Sequence, residues 1–255
     1  MKLIVTGKGG SGKSTLSAIL ARKLSKKGLK ILVVDADESN MGLSRMMGLP
    51  ENPIVMDQLG GKKEFKKIMN QSTALGGPEL FETPVTIGEI PKEWISEKEG
   101  ITLLSIGKIH AAGEGCACPM GVLSRMVLSK LVLHDTDLAI IDTTAGIEHF
   151  GRGIDEKCDY VVIVVDPSHE SFALAKKISG ICRNARLDYG IILSKASEAV
   201  RSVMLENVEK DRVIGTISDE PALFLKNLKG EALDLQNEAM ESICDHIMEK
   251  KRRAC

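Results

Sequence analysis

The chain has 255 residues, 43% of them hydrophobic and 27% charged, with a formal net charge of −1. A balance so near zero gives no general attraction for nucleic acid or an anionic membrane, and 3% aromatic residues leave few platforms for stacking single-stranded bases. No apolar run reaches membrane-spanning length and Met1-Lys2 leads straight into a strand, so the expectation is a cytoplasmic protein without signal peptide or membrane span, with cysteines that serve as core residues or metal ligands before disulfides.

Residues 2–6 read as a buried parallel strand. Gly7-Lys8-Gly9-Gly10-Ser11-Gly12-Lys13-Ser14 follows, then Thr15. A helical pattern over 14–27 puts Leu16, Ile19, Leu20 and Leu24 on one face, and Gly28 ends it. Strand, glycine-rich turn and helix are the setting in which G-x-x-x-x-G-K-[ST] holds phosphates. The glycines let backbone N–H groups turn inward, and the helix N-terminus adds its positive end. Lys13 then reaches the β- and γ-phosphates and the Ser14 hydroxyl ligates Mg2+. Lys8 differs, because the loop backbone points it outward, away from phosphates bound by its own chain.

Residues 30–35 form a second strand that runs into Asp35-Ala36-Asp37-Glu38-Ser39-Asn40, at the carboxyl edge where doubly wound sheets bind ligands. Asp and Ser are equally good helix caps there. From 42 to 100 the pattern weakens. Met41, Met46 and Met47 sit near short helical patterns, and Gly60-Gly61 and Gly76-Gly77-Pro78 mark breaks. Lys62, Lys63, Lys66 and Lys67 around Phe65 read as a solvated helix face or a partner surface. Residues 85–90, between Pro84 and Pro91, read as a short edge strand.

Residues 101–106 are a third main strand, and 122–133 a helix. Strand 138–142 ends in Asp142 and continues into Thr143-Thr144-Ala145-Gly146-Ile147-Glu148-His149. Residues 160–165, 190–193 and 213–216 are further strands. Ser168 caps a helix to about Arg183, and a last helix covers 238–252. The fold class is therefore α/β: one domain over 1–255, with a mostly parallel sheet of about seven to eight strands and helices on both faces.

Gly113-Glu114-Gly115-Cys116-Ala117-Cys118-Pro119-Met120-Gly121 lies between these motifs. Flanking Gly and Pro place Cys116 and Cys118 on a tight loop. Two thiolates are half of a four-sulfur site, and a two-fold dimer brings the other half. Such a site suits Zn2+, Ni2+ or an iron–sulfur cluster. The pair also reads as two small buried residues. Cys158, Cys182 and Cys244 fit core faces, and Cys255 is a terminal thiol.

G-K-G-G-S-G-K-S resembles the loop of deviant Walker A ATPases, which include the nitrogenase iron protein, septum- and plasmid-partition ATPases and metal-cofactor assembly ATPases. That resemblance implies ATP as the nucleotide and a catalytic Lys8 that crosses a dimer interface to the partner's ATP. It implies that Asp37 orients or activates the attacking water beside Lys13, and that Asp35 supports the Mg2+ shell. Asp142 would hold a water on Mg2+ as Walker B, and the Gly146 N–H would sense the γ-phosphate. In related ATPases an Asn-Lys pair contacts the base; here Ser194 precedes Lys195, and Pro221 follows in a loop that would line the adenine. Adding C-A-C-P and D-T-T-A-G-I-E-H-F-G-R-G makes the chain similar to CooC-type accessory ATPases, which help insert nickel into carbon monoxide dehydrogenase. This implies a slow Mg2+-dependent ATPase homodimer that binds Ni2+ or Zn2+ through Cys116 and Cys118 of both subunits, with carbon monoxide dehydrogenase or another nickel enzyme as client. Alternatives are an iron–sulfur cluster carrier or reductase, a partition or positioning ATPase, and a nucleotide switch without turnover.

Overall fold

The protein is described from a computed structural model, which covers residues 1–71, 80–109, 118–147, 150 and 158–254. The predicted break at 76–78, Cys116, Glu148, His149 and Cys255 lie outside these residues.

The apolar β-branched runs pair into one sheet. β1 (Lys2–Gly7), β2 (Lys30–Ala36), β3 (Ile95–Lys98), β4 (Ile101–Ser105), β5 (Asp137–Thr143), β6 (Tyr160–Val165), β7 (Asp188–Leu193) and β8 (Val213–Thr216) lie in the order β3-β4-β2-β5-β1-β6-β7-β8. Every neighbouring pair is parallel except β3 against β4. The helices are α1 (Lys13–Lys26), α2 (Leu43–Met47), α3 (Val55–Gln58), α4 (Gly61–Gln71), α5 (Cys118–Lys130), α6 (His169–Ala185), α7 (Glu198–Glu206), α8 (Pro221–Leu228) and α9 (Glu238–Ala254). The expected α/β architecture is the observed one.

Successive strand residues point to opposite faces, so each central strand feeds two cores. Leu3, Val5, Ile31, Val33, Leu138 and Ile140 pack with Leu16, Ile19, Leu20 and Leu24 of α1 and Met240, Ile243 and Ile247 of α9. Ile4, Leu32, Val34, Ala139 and Ile141 face Leu123 and Val127 of α5 and Ile178 and Cys182 of α6. Because both faces are covered, the strands read as continuous apolar runs instead of alternating ones. The Ser168 side chain accepts the Ser171 N–H and starts α6, as its sequence position predicts.

The structure corrects the sequence reading in two places. Residues 85–90 form no strand. Val85 makes a single bridge to Leu131, and a reciprocal capping box between Thr86 and Glu89 winds residues 87–89 into a 3-10 turn. The edge strand is β3, joined to β4 through Glu99 and Gly100, both with positive φ, 53° and 77°. A two-residue hairpin needs that backbone, and glycine supplies half of it. Cys118, expected in a loop, opens α5, with Pro119 behind it in the first turn where a missing N–H costs nothing. Cys118 is also disulfide-bonded in this structure, whereas the sequence favours a core residue or metal ligand over a disulfide.

The lysine-rich stretch becomes α4. Its Phe65 is fully buried, while Lys63, Lys66 and Lys67 stay exposed. Phe65→Ala should destabilise the protein by about 3–5 kcal/mol. The check is a lowered urea midpoint at an unchanged denaturant slope.

Candidate functional site

β1 ends at Gly7, and the loop that follows wraps the N-terminus of α1. Gly7 has φ 148°, and a Cβ there would collide with the Val164 carbonyl of β6, so no larger residue fits. Gly12, with φ 97°, is the N-cap of α1. The loop therefore delivers Lys13, Ser14 and Thr15 on the helix's first turn, where unpaired N–H groups and the dipole favour an anion.

Beside the loop is a cleft of about 860 Å3, within the size range of small-molecule sites. Gly9, Gly10, Gly12, Lys13, Ser14 and Thr15 form its floor. Asp37 enters from the end of β2, Ser194 and Lys195 from the end of β7, and Thr144 and Ala145 follow β5. All these elements meet at the carboxyl edge of the sheet, the usual ligand edge of this architecture.

Two hydroxyls and a carboxylate lock the floor in place. Ser14 Oγ donates to Asp142 Oδ2 at 2.6 Å and Ser17 Oγ donates to Asp142 Oδ1 at 3.0 Å. Asp142 is completely buried. Burial pushes its carboxyl up from the ordinary range, against the two hydroxyl donors and Lys13. Lys13 Nζ donates to the Lys8 carbonyl at 3.2 Å. Burial pulls the Lys13 ammonium down, while Asp142 and Asp37 work the other way. Phosphate oxygens would stabilise Lys13 in its charged form, and a hard divalent cation would do the same for Asp142. Both donor sets thus fit a Mg2+-nucleotide, with Ser14 as the oxygen ligand and Asp142 behind it.

Asp37 Oδ1 accepts both the Ser39 N–H at 2.9 Å and the Ser39 hydroxyl at 2.6 Å, so the capping geometry expected of this stretch is present alongside its place in the cleft. Asp35 is buried and accepts from Lys108 Nζ at 2.6 Å. Burial pushes the Asp35 carboxyl up to about 7 in spite of the Lys108 ammonium beside it. Gly146 N–H donates to the Gly7 carbonyl at 3.3 Å, and Thr6 Oγ1 donates to the Gly146 carbonyl at 3.4 Å. The segment after β5 is thereby tied to the phosphate loop. Ser11 Oγ, buried in the same loop, has no hydrogen-bond partner among the described residues.

Three predicted residues sit differently from expectation. Lys8 turns to its own chain, donating to Ser168 Oγ at 3.0 Å with the Asp166 carboxylate 3.7 Å away. Lys195, with φ 55°, donates to the Gly10 carbonyl at 2.8 Å and so braces the phosphate loop. Of the loop 218–221 expected to line the adenine, Ser218, Asp219 and Glu220 do line the cleft, with Leu223, Phe224 and Asn227 of α8, while Pro221 occupies the first turn of α8. Leu223 and Asn227 stand four apart on one face with Phe224 at its edge, and Pro221 falls away from that face. Sequence reading missed Lys108, Ser17 and the Asp166–Ser168 pair. Only Ser17 had a local signal, standing three residues after Ser14 on the same helix face.

Residues 2–233 match the family described as the CobQ/CobB/MinD/ParA nucleotide binding domain. The chain belongs to this family of P-loop ATPases. It is 41% identical over 245 residues to an uncharacterized ATP-binding protein of Methanocaldococcus jannaschii, covering 96% of this chain and 98% of that one. It is 33% identical over 265 residues to the carbon monoxide dehydrogenase accessory protein CooC of Rhodospirillum rubrum, covering 97% of each. The fold of this ATPase superposes on the septum site-determining protein MinD of Pyrococcus horikoshii, solved with Mg-ADP, at a TM-score of 0.67 and 19% identity over 96% of this chain and 94% of that one.

Lys13→Ala should weaken nucleotide binding about 10- to 100-fold, the loss expected for one or two charge-assisted hydrogen bonds. Titration calorimetry with MgADP measures it, and an unchanged affinity would remove Lys13 from the phosphate site.

Proposed function

We propose that this P-loop ATPase is a metallochaperone that couples ATP binding and hydrolysis to delivery of Ni2+ or Zn2+. The observation that carries this reading is the 33% identity, end to end, with a carbon monoxide dehydrogenase accessory protein, in a chain that also has Cys116 and Cys118. The client would be carbon monoxide dehydrogenase or another nickel enzyme. One chain brings two sulfurs, and tetrahedral or square-planar sites want four ligands. Among the described residues no three His, Cys, Asp or Glu side chains gather around a metal position. A homodimer with one cysteine pair from each subunit supplies the set. Metal binding requires the reduced pair, since thiolate is the ligand form.

In this reading Lys13 and the loop N–H groups bind the β- and γ-phosphates. Ser14 would hold Mg2+ with Asp142 behind it, and the ion would supply positive charge to the transferring phosphoryl group. Asp37 orients the attacking water. Lys8 leaves Ser168 and Asp166 and reaches the partner's nucleotide, so ATP closes the dimer. Closure changes the distance between the cysteine pairs, and metal in turn changes nucleotide affinity by the same factor.

Two experiments test this function. Under reducing conditions the wild-type chain should bind one Ni2+ or Zn2+ between two subunits, and the Cys116→Ser/Cys118→Ser variant should lose that isotherm; equal binding by both would sink the metallochaperone reading. Anaerobic protein with iron and sulfide absorption would instead indicate a cluster carrier. Lys8→Ala should leave the monomer's MgADP affinity within about twofold, because a partly exposed ion pair contributes little. The same variant should abolish the ATP-dependent dimer peak in size-exclusion chromatography.

A further inference from the structure

A lysine that is 5% exposed stands three residues past the end of β4, and nothing in the proposed chemistry uses it. Lys108 Nζ donates to Asp35 Oδ2 at 2.6 Å and to the Asp37 carbonyl at 2.6 Å. Asp35 Oδ1 accepts the Asp37 N–H at 3.3 Å. Both polar ends of Asp37's own backbone are thus held, one by Asp35 and the other by the lysine that Asp35 anchors. Further bonds stitch the same two segments together. Ser105 Oγ donates to Asp35 Oδ2 at 3.3 Å. Ile106 N–H donates to the Asp35 carbonyl at 3.0 Å, and Ile109 N–H donates to the Glu38 carbonyl at 3.2 Å. Gly107, between them, lies so close to Met120 of α5 that a Cβ would stand 2.8 Å from its Cγ. The platform carrying Lys108 is therefore packed against a helix.

Stability alone does not account for this arrangement. A buried ion pair is often matched or exceeded by apolar residues of similar volume. An apolar pair at positions 35 and 108 would continue the run in which Val33 and Val34 pair with Leu103 and Leu104. What the lysine adds is direction. It grips the turn whose side chain, Asp37, lines the cleft.

We propose that Lys108 is a positioning residue for ATP hydrolysis: through Asp35 and the Asp37 carbonyl it fixes the backbone that presents the Asp37 carboxylate to the attacking water. This rests on the reading of Asp37 as the water-orienting group. A displacement of about 1 Å at such a position costs on the order of 100-fold in rate, with little effect on ground-state nucleotide binding.

The test compares kcat and MgADP affinity in the full chain and in five variants: Asp37→Asn, Lys108→Met, Lys108→Arg, Lys108→Met/Asp37→Asn and Lys108→Met/Asp35→Asn. Lys108→Met should lower kcat about 10- to 100-fold and leave the MgADP affinity within about twofold. Lys108→Arg, which keeps the charge and donors, should recover part of the rate. Lys108→Met/Asp37→Asn should turn over no more slowly than Asp37→Asn, since residues acting through one group are not additive. Lys108→Met/Asp35→Asn removes the unpaired buried carboxylate, so it should stay folded and still show the loss in kcat. If Asp37→Asn hydrolyses ATP like the wild type, the reading of Asp37 fails. If Asp37→Asn is slow while folded Lys108→Met or Lys108→Met/Asp35→Asn is not, the role of Lys108 is overturned. A double variant slowed by the product of the two single losses overturns it as well.

Discussion

The site depends on one buried carboxylate. Asp142 stands at the end of β5, flanked in register by Val5 of β1 and Asp35 of β2, and it takes hydroxyl donors from two positions on α1. A carboxylate without water is costly unless its oxygens are satisfied, so those two serines are constrained as tightly as the acid. Together they fix the rotation of α1 about its axis. That rotation decides where Lys13 points and how the glycine loop, confined by the Val164 carbonyl at Gly7, curls over the helix end.

Charge balance around Asp142 follows the same logic. Asp35, Asp37 and Asp142 gather where, among the described residues, Lys13 and Lys108 are the buried cations beside them. Burial raises Asp142 and Asp35 and lowers Lys13, so it disfavours the charged form of each. A Mg2+-nucleotide brings a cation for the acids and an anion for Lys13. Lys108 is different in kind. Its ammonium is already engaged by Asp35 and the Asp37 carbonyl, so it organises the chain and leaves phosphate binding to Lys13.

Much of this was legible in the sequence because the signals are local. The phosphate loop, α1 and its apolar face, and the strands ending in Asp35 and Asp142 each declare themselves within a dozen residues. The segment from 42 to 100 does not. α2 and α3 are too short to show a period, and the Thr86–Glu89 box defeats an edge strand that composition favours. Long-range partners were also out of reach. Asp166 and Ser168 meet Lys8 across about 160 positions of sequence, and Lys108 meets Asp35 across about 70, distances that the parallel crossover connections close. Leu223 and Phe224 could not be assigned to the cleft until α8 was seen to turn one face toward it. Pro221 illustrates the opposite error: a residue type suited to a loop in the sequence became the first turn of a helix.

The exit of β4 is bound to the end of β2. Lys108 and Ile109 are bonded to the segment that carries Asp37 and Glu38, and the chain then runs through residues 110–117 to Cys118 at the start of α5. Met120, one turn into that helix, packs on Gly107. The exit of β4 is therefore held on one side by the turn that carries Asp37 and packed on the other, through Gly107, against α5. A shift of the Asp37 turn when nucleotide is bound or cleaved has to be absorbed either by breaking the bonds to Lys108 and Ile109 or by moving the strand exit with it. The second course disturbs the contact of Gly107 with Met120 at the start of α5. A buried ion pair is expensive to separate and the strand exit is packed on Met120, so both courses are costly and the turn that carries Asp37 is held in place from two sides.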